Sequence, residues 1–257
     1  MSERKLLSAV LITRDCGSTL ADTLASLAFC DEIIVVDSGS TDGTPALAAR
    51  AGARVIHQDW LGFGPQKQFA VAQASNEWVL CIDGDEVVTP ELRAEIQREL
   101  AAPSHRAFEF ARCNRFLGRY LRHGEGYPDL SLRLFDRRHA GWSDDLVHEK
   151  VTALGDVGRL RGDLLHHSEE SLESYLAKQN RYTTLAAEAL VAEGFVPSAA
   201  KLWVSPIFRF LKFYIARRGF LDGGAGLVHI GIGCFNSFIK YAKVIEIRAT
   251  ARDSRRP

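Results

Sequence analysis

The run Ile33-Ile34-Val35-Val36 places four β-branched residues in succession and stops at Asp37. Such side chains favour extended backbone. A strand without polar alternation must be covered on both faces, as a parallel strand is by helices above and below it. Leu6 to Thr13 is a second apolar run of strand type, Arg54-Val55-Ile56-His57 a third, and Trp78-Val79-Leu80-Cys81-Ile82 a fourth that stops at Asp83. Between these runs the spacing turns helical. Leu20, Leu24 and Leu27 share one face of a stretch from Ser18, placed to cap it, to Phe29, and further helices are predicted over Pro45 to Ala51 and roughly 65 to 74. A βαβαβαβ rhythm folds through right-handed crossovers into a parallel sheet with helices on both faces. At 257 residues, 46% of them hydrophobic and 25% charged, the chain suits one large domain with an appendage and is too apolar for disorder outside its ends.

Ligands of open α/β sheets gather outside the carboxyl ends of the strands, so chemistry is sought there first. One end reads Asp83-Gly84-Asp85-Glu86. Hard cations such as Mg²⁺ or Mn²⁺ are held by one or two carboxylates together with substrate phosphates, so this end predicts a metal-diphosphate site; an acidic turn before a helix would have the same composition. The other end, Asp37-Ser38-Gly39-Ser40-Thr41-Asp42-Gly43-Thr44, offers a carboxylate to a base imide or a ribose and glycines for close backbone approach. Thr41 and Asp42 are equally suited to capping the next helix. No G-x-G-x-x-G follows the first strand and no G-x-x-x-x-G-K-S/T occurs, which disfavours a dinucleotide fold and a P-loop.

Beyond Glu86, Thr89 is placed to cap and Pro90 to open a helix reaching about Ala101, with Leu92, Ile96 and Leu100 on one face. Strands are predicted over Ala107 to Cys113, Leu130 to Phe135 and near Gly162 to Leu165. The glycine-rich, aromatic and basic stretch from Asn114 to Asp129 reads as a substrate-facing loop. From Glu169 the pattern is helical: Leu172 to Ala192 is amphipathic, Val196-Pro197-Ser198 breaks it, and two apolar segments follow. In the first, Lys201, Ser205, Arg209 and Lys212 form a narrow polar stripe, with Pro206 at a first turn or a kink. The second, Gly223 to Ile239, has no Asp, Glu, Lys or Arg but is glycine-rich and short of a typical spanning helix. Both are read as helices lying at a membrane surface. From Ala199 onward 11 Lys and Arg stand against 3 Asp and Glu in a chain that is neutral as a whole, so an anionic membrane surface is the expected partner. Nucleic acid is disfavoured, since no recognition motif accompanies the charge. Five scattered cysteines without a C-x-x-C pair fit a reduced, cytosolic setting, and no export signal is read at the amino terminus.

Strand-Asp-Ser-Gly-Ser-Thr-Asp-Gly-Thr followed by strand-Asp-Gly-Asp-Glu resembles the family 2 glycosyltransferases, which have the nucleotide-sugar-binding fold called GT-A. Leu132-Arg133-Leu134-Phe135, Val147-His148-Glu149 and Leu165-His166-His167-Ser168 extend the likeness to the branch of bacterial lipopolysaccharide-core β-glucosyltransferases that act on a heptose acceptor. The resemblance implies an α/β GT-A-type catalytic domain over residues 1–168, with 1–113 as the nucleotide-sugar-binding half and 114–168 as the acceptor side, and a C-terminal amphipathic helical, membrane-associating extension over 169–257. It implies a nucleotide-sugar donor such as UDP-glucose, a divalent metal (Mg²⁺ or Mn²⁺), a lipopolysaccharide core or other glycolipid acceptor, and a peripheral place on the cytoplasmic face of the inner membrane. By position, Thr13 and Asp37 would meet the uridine, Asp83 the ribose, Gln66, Lys67 and Arg133 the donor, Asp85 the metal, and Glu149 the acceptor hydroxyl as general base. His166 would be a second metal ligand, but that branch often carries an aromatic residue where this chain has His167, so either histidine fits. An inverting transfer needs one base for the acceptor proton and a cation for the departing diphosphate, whereas a glycosidase needs two carboxyl groups flanking the bond. The competing readings are a transferase acting on a polyprenyl phosphate, a sugar nucleotidyltransferase, for whose glycine-rich basic loop Thr13-Arg14-Asp15-Cys16 is a poor match, and a non-catalytic nucleotide-sugar-binding membrane protein.

Overall fold

The structure, a computed structural model, describes residues 4–143, 149–168 and 171–253 and divides into two compact units. The first comprises Met1–Cys113 and Asp129–His167, the second Asn114–Pro128 and Ser168–Pro257.

The first unit opens with the expected rhythm: β1 (Leu7–Thr13), α1 (Leu20–Ser26), β2 (Glu32–Asp37), α2 (Thr44–Arg50), β3 (Arg54–His57), α3 (Phe63–Ala72) and β4 (Trp78–Asp83). The four strands pair in parallel in the order β3-β2-β1-β4. Alternate residues feed opposite cores. Leu7, Ala9 and Leu11 pack with Val35, Leu80, Ile82 and the leucines of α1, whereas Val10 packs with Ile34, Val36, Val79 and with Ala70 and Val71 of α3. With both faces buried, no face remains for polar residues, which is why the runs are unbroken. One detail differs from the sequence reading. Helix α1 begins behind Thr19 without a side-chain cap; the Thr19 and Leu20 N–H groups bond instead to the Cys16 carbonyl, so Ser18 is not its cap.

The chain continues through β5 (Glu86–Val88), α4 (Pro90–Ala101), β6 (Ala107–Phe116), β7 (Arg119–Tyr120), β8 (Asp129–Asp136), β9 (Ala140–Trp142), β10 (Val151–Ala153), β11 (Gly158–Arg159) and β12 (Leu164–His166). β8 lies antiparallel to β4, β6 antiparallel to β8, and β12 with antiparallel β5 completes the sheet. The sheet is therefore mixed, parallel in its first four strands and antiparallel for most of the rest. At one point the β6/β8 register slips: Phe108 opposes Leu134 but Glu109 opposes Leu132, which makes Arg133 the extra residue of a β-bulge. Helix α4 is capped as its sequence implies, Thr89 Oγ1 accepting from the Leu92 N–H at 3.2 Å with Leu92, Ile96 and Leu100 buried. Gly162 lets the chain before β12 press on this helix, because a Cβ there would lie 2.4 Å from the Leu92 backbone.

In the second unit, α5 (Leu172–Ala192), α6 (Ala199–Phe210) and α7 (Gly223–Asp253) are joined by a π-helical turn, Leu211–Ala216, and a 3₁₀ turn, Gly219–Asp222. Pro206 sits inside α6 rather than in its first turn, and α7 runs well past Ile239. The stretch 114–128 packs with these helices. Buried Asp222 accepts from the Arg122 and His123 N–H groups at 3.0 and 2.8 Å, and Arg209 Nε donates to Glu125 at 3.0 Å. Arg209 of the polar stripe is thus spent inside the unit, while Trp203, Val204, Ile207 and Phe208 are all more than half exposed. Among the described residues no helix is long and apolar enough to cross a membrane.

Candidate active site

The parallel strands leave β1 in two directions, β2 and β3 to one side and β4 to the other. This is a topological switch point, where a crevice opens outside the carboxyl ends of the strands. Register sets Thr13 beside Asp37 and Ile12 beside Asp83, so the two acidic strand ends flank the end of β1.

Asp83 is gripped from two sides. Its Oδ2 accepts from Arg133 Nη2 at 3.1 Å, and its Oδ1 lies 3.5 Å from Lys67 Nζ; the arginine comes from the bulge in β8 and the lysine from α3. Glu86, fully buried, lies 3.4 Å from Arg133 and 3.6 Å from Arg112, and accepts the Asp83 N–H at 2.9 Å. Burial pushes both carboxyls up. At Glu86 burial prevails and the acid titrates above its ordinary range, whereas at Asp83 the charges of Arg133 and Lys67 prevail and hold it well below. Arg133 is buried too, yet Glu86 and Asp83 fix its proton more firmly than in water. Its Nη1 is buried without a hydrogen-bond partner, and Arg133, Lys67, Asp83 and Cys81 line a small cavity of about 10 Å³, about one water across. The Trp142 ring lies 4.6 Å from Lys67 Nζ and 5.6 Å from Arg133 Cζ, so both cations rest against its π-face.

Lys67 Nζ also lies 3.6 Å from Glu149 Oε1, and one ammonium thereby stands between the Asp83 and Glu149 carboxylates. Val147 and His148, the remainder of that motif, lie outside the described residues. The antiparallel β5/β12 pairing sets His166 opposite Glu86 and its Nε2 3.1 Å from Asp85 Oδ2. His167 reaches the same turn through its backbone, its N–H donating to the Asp85 carbonyl at 2.8 Å. Gly84 fixes the turn: a Cβ would lie 2.9 Å from Cys16 Sγ, and its carbonyl accepts from the Thr19 and Thr23 hydroxyls at 3.0 and 3.2 Å. Among the described residues no group of three or more His, Cys, Asp or Glu is arranged to hold a metal ion. Asp85 with His166 is a two-donor arrangement, and such a pair fits a cation whose other ligands are substrate phosphates and water.

Thr13, Asp37 and Gln66 are buried and internally bonded. Thr13 Oγ1 donates to Asp37 Oδ2 at 3.1 Å, and Asp37 Oδ1 accepts from the Gly39 and Ser40 N–H groups at 3.0 and 2.9 Å. Asp37 thus shapes the turn that follows it. Gln66, 0% exposed, donates to Ser38 Oγ at 3.1 Å and to the Gln58 carbonyl at 3.2 Å and accepts from the Leu61 N–H at 3.2 Å. It braces the site from beneath and presents no free face to a ligand. Asp42 accepts from the Gly17 and Thr44 N–H groups at 3.0 and 2.9 Å and acts as a clasp between loops. Arg112 and Trp142 carry no sequence signal of chemistry: Trp142 follows a glycine near a strand, and Arg112 is one polar residue in an alternating run.

The family described as "Glycosyl transferase family 2" matches residues 8–143. The lipopolysaccharide core biosynthesis glycosyltransferase LpsC of Rhizobium meliloti is 33% identical over 95% of this chain and 93% of its own length. An uncharacterized glycosyltransferase of Rickettsia typhi is 32% identical over 97% of this chain and 90% of its own. Among solved structures, glucosyl-3-phosphoglycerate synthase of Mycobacterium tuberculosis overlaps 76% of this chain and 82% of its own with a TM-score of 0.48 and 19% identity.

Proposed function

Because this chain belongs to glycosyltransferase family 2 and is a glycosyltransferase of GT-A-like α/β fold, we propose that it moves glucose from UDP-glucose, with inversion, onto a heptose of the lipopolysaccharide inner core. The likeness to LpsC supports the acceptor class. The observation that carries the chemistry is the placement of Asp83 and Glu149 on either side of the Lys67 ammonium, at 3.5 and 3.6 Å, with Asp85 and His166 facing each other at 3.1 Å.

In this reading Glu149 takes the proton of the acceptor hydroxyl as its oxygen attacks the anomeric carbon, and the bond from that carbon to the diphosphate breaks on the opposite face. Lys67 orients Glu149 and Asp83 together. Asp83, fixed by Arg133, receives the ribose hydroxyls, while Thr13 and Asp37 hold the turn that meets the uridine. Asp85 and His166 are the residues that would hold Mg²⁺ or Mn²⁺, which when bound supplies positive charge to the leaving diphosphate. For the second unit, exposed Trp203, Val204, Ile207 and Phe208 beside exposed Lys201 and Lys212 support peripheral attachment to an anionic membrane, on the cytoplasmic face where nucleotide sugars are found; each basic side chain near such a surface contributes about 1 kcal/mol.

The test offers purified protein a panel of nucleotide sugars with heptose-terminated lipopolysaccharide, with and without chelator, and follows nucleoside-diphosphate release. Acceptor-dependent release from UDP-glucose, abolished by chelation and restored by Mg²⁺ or Mn²⁺, is expected. Release indifferent to chelator, or undiminished in Asp85→Ala, refutes the metal assignment, and transfer to no heptose acceptor refutes the acceptor. Flotation with anionic but not neutral liposomes is expected; absence from both removes the membrane assignment.

A further inference from the structure

The loop between β3 and α3 carries Trp60 and Leu61, and Phe63 opens α3; the three remain 45, 46 and 55% exposed. It follows the carboxyl end of a parallel strand, the edge at which the ligands of such sheets collect. The Trp60 and Phe63 rings form an edge-to-face pair with centroids 4.8 Å apart at 86°. Between them Gly62 adopts φ +100°, a conformation that glycine takes without strain. The loop is nevertheless held firmly. Gln66, itself fully buried, bonds to the Leu61 N–H and the Gln58 carbonyl and, through the same amide, to Ser38 in the turn after β2. One ring lies near the charged cluster: the Phe63 centroid is 6.0 Å from Lys67 Nζ, the ammonium that stands against Asp83 and Glu149.

We propose that Trp60 and Phe63 form a seat for one pyranose ring of the reaction, with Gln66 as the positioning residue that holds the seat in place. The inference rests on the glycosyl-transfer reading above. The flat face of a pyranose is made of C–H bonds with slight positive character, and an aromatic face carries the complementary negative charge density. Packing of this kind needs no hydrogen bond that water could replace, so it suits a half-exposed position. The ring's hydroxyls are left to water and to the charged groups around Lys67. A single braced pair of rings beside a lysine fits one saccharide, whereas a lipid surface is met by a broad apolar face.

Two measurements on wild type, Trp60→Ala, Phe63→Ala and Trp60→Phe test the seat. In transfer kinetics with donor and acceptor varied separately, the alanine variants raise KM for one of the two about tenfold, equivalent to ~1.4 kcal/mol, with kcat within about twofold and Trp60→Phe near wild type. A rise for the acceptor assigns the seat to the acceptor sugar; a rise for the donor with unchanged UDP affinity assigns it to the donor hexose. Calorimetric titration with free truncated core oligosaccharide and with UDP-glucose needs no turnover, so a loss of saccharide binding in the alanine variants supports the seat even if wild type transfers nothing. Unchanged KM values together with unchanged saccharide binding overturn the proposal. So does a wild type that binds neither saccharide, or a variant whose liposome flotation changes while its saccharide binding does not. Trp60→Gln or Phe63→Gln replaces the corresponding alanine variant if that one fails a circular-dichroism check of folding.

Discussion

Replacing Arg133 by methionine keeps most of the side-chain volume and removes its charge from a site where it is 4% exposed. In the native protein its Nη2 serves Asp83 at 3.1 Å and Glu86 at 3.4 Å, while Arg112 stands 3.6 Å from Glu86 and is itself bound to Asp129 at 2.9 Å. Removing one partner of a buried ion pair costs about 3–5 kcal/mol. Arg112 remains on Glu86, so we expect about 3 kcal/mol, and at ~2–4 °C per kcal/mol for a chain of this size the melting temperature should fall by roughly 6–12 °C near neutral pH. The pH dependence has a definite sign. Burial raises the Asp83 carboxyl, but Arg133 and Lys67 depress it further than burial raises it. Its contribution to stability is therefore present above the unfolded value near about 3.9 and lost as pH falls through the folded one. Glu86 is raised by burial, so its ionisation already weighs against folding and weighs more once Arg133 is gone. Both losses belong to the ionised carboxyls. The gap between variant and wild type should be widest at neutral pH and should narrow on acidification as Glu86, raised by burial, takes up its proton. Thermal melts of both proteins across this range, with Arg133→Met/Glu86→Gln as a control that removes the uncompensated charge and recovers stability, measure it. A shift under about 2 °C at neutral pH, or a gap that widens on acidification, would refute the reasoning.

Three further outcomes are expected. Glu149→Gln should bind UDP-glucose as wild type does but transfer roughly two to four orders of magnitude more slowly, read by comparing calorimetric donor affinity with single-turnover transfer; wild-type turnover sinks the base assignment. Gly162→Ala forces a methyl to within 2.4 Å of the Leu92 backbone and should cost about 1–3 kcal/mol as overpacking does, visible as a lowered melting temperature; an unchanged melt would mean that α4 shifts freely. Thr89→Ala removes the cap on the Leu92 N–H and the 2.8 Å hydroxyl bond to the Asp163 carbonyl and should cost ~1 kcal/mol in denaturant unfolding without altering donor affinity.

The parallel half of the fold was legible because its evidence is local. Four β-branched residues in a row at Ile33 to Val36, leucines at helical spacing after Ser18, and Thr89-Pro90 at a helix start each carry their own structural instruction. The antiparallel half is less local. Leu130 to Phe135 reads as an ordinary strand, and no residue within it announces that Glu109 will oppose Leu132, so the bulge that turns Arg133 toward Asp83 could not be foreseen. Glu86 reads as one more carboxylate of an acidic strand end until β12 returns to pair with it; then it becomes a buried strand residue shared by two arginines. Of the residues that the sequence points to, Asp83, Lys67 and Glu149 form one group of short contacts and Asp85 with His166 another. Gln66 was named as well, but its amide is consumed by the scaffold. Sequence pattern marks that a polar residue matters at such a place without saying whether it faces the ligand or the wall behind it.

The interleaving of Lys67, Arg112 and Arg133 with Asp83, Glu86, Asp129 and Glu149, taken with Asp85 beside them, has a consequence for the order in which molecules arrive. Fully ionised, these five carboxylates outweigh the three cations by two charges, the deficit that one divalent ion cancels. In the proposed reaction a nucleoside diphosphate approaching alone would meet this net negative cluster, and a divalent ion approaching alone would meet an incomplete set of ligands. In the proposed reaction each therefore raises the affinity for the other, by the same factor in both directions. In that reaction the spent nucleotide and its cation should likewise leave as a pair.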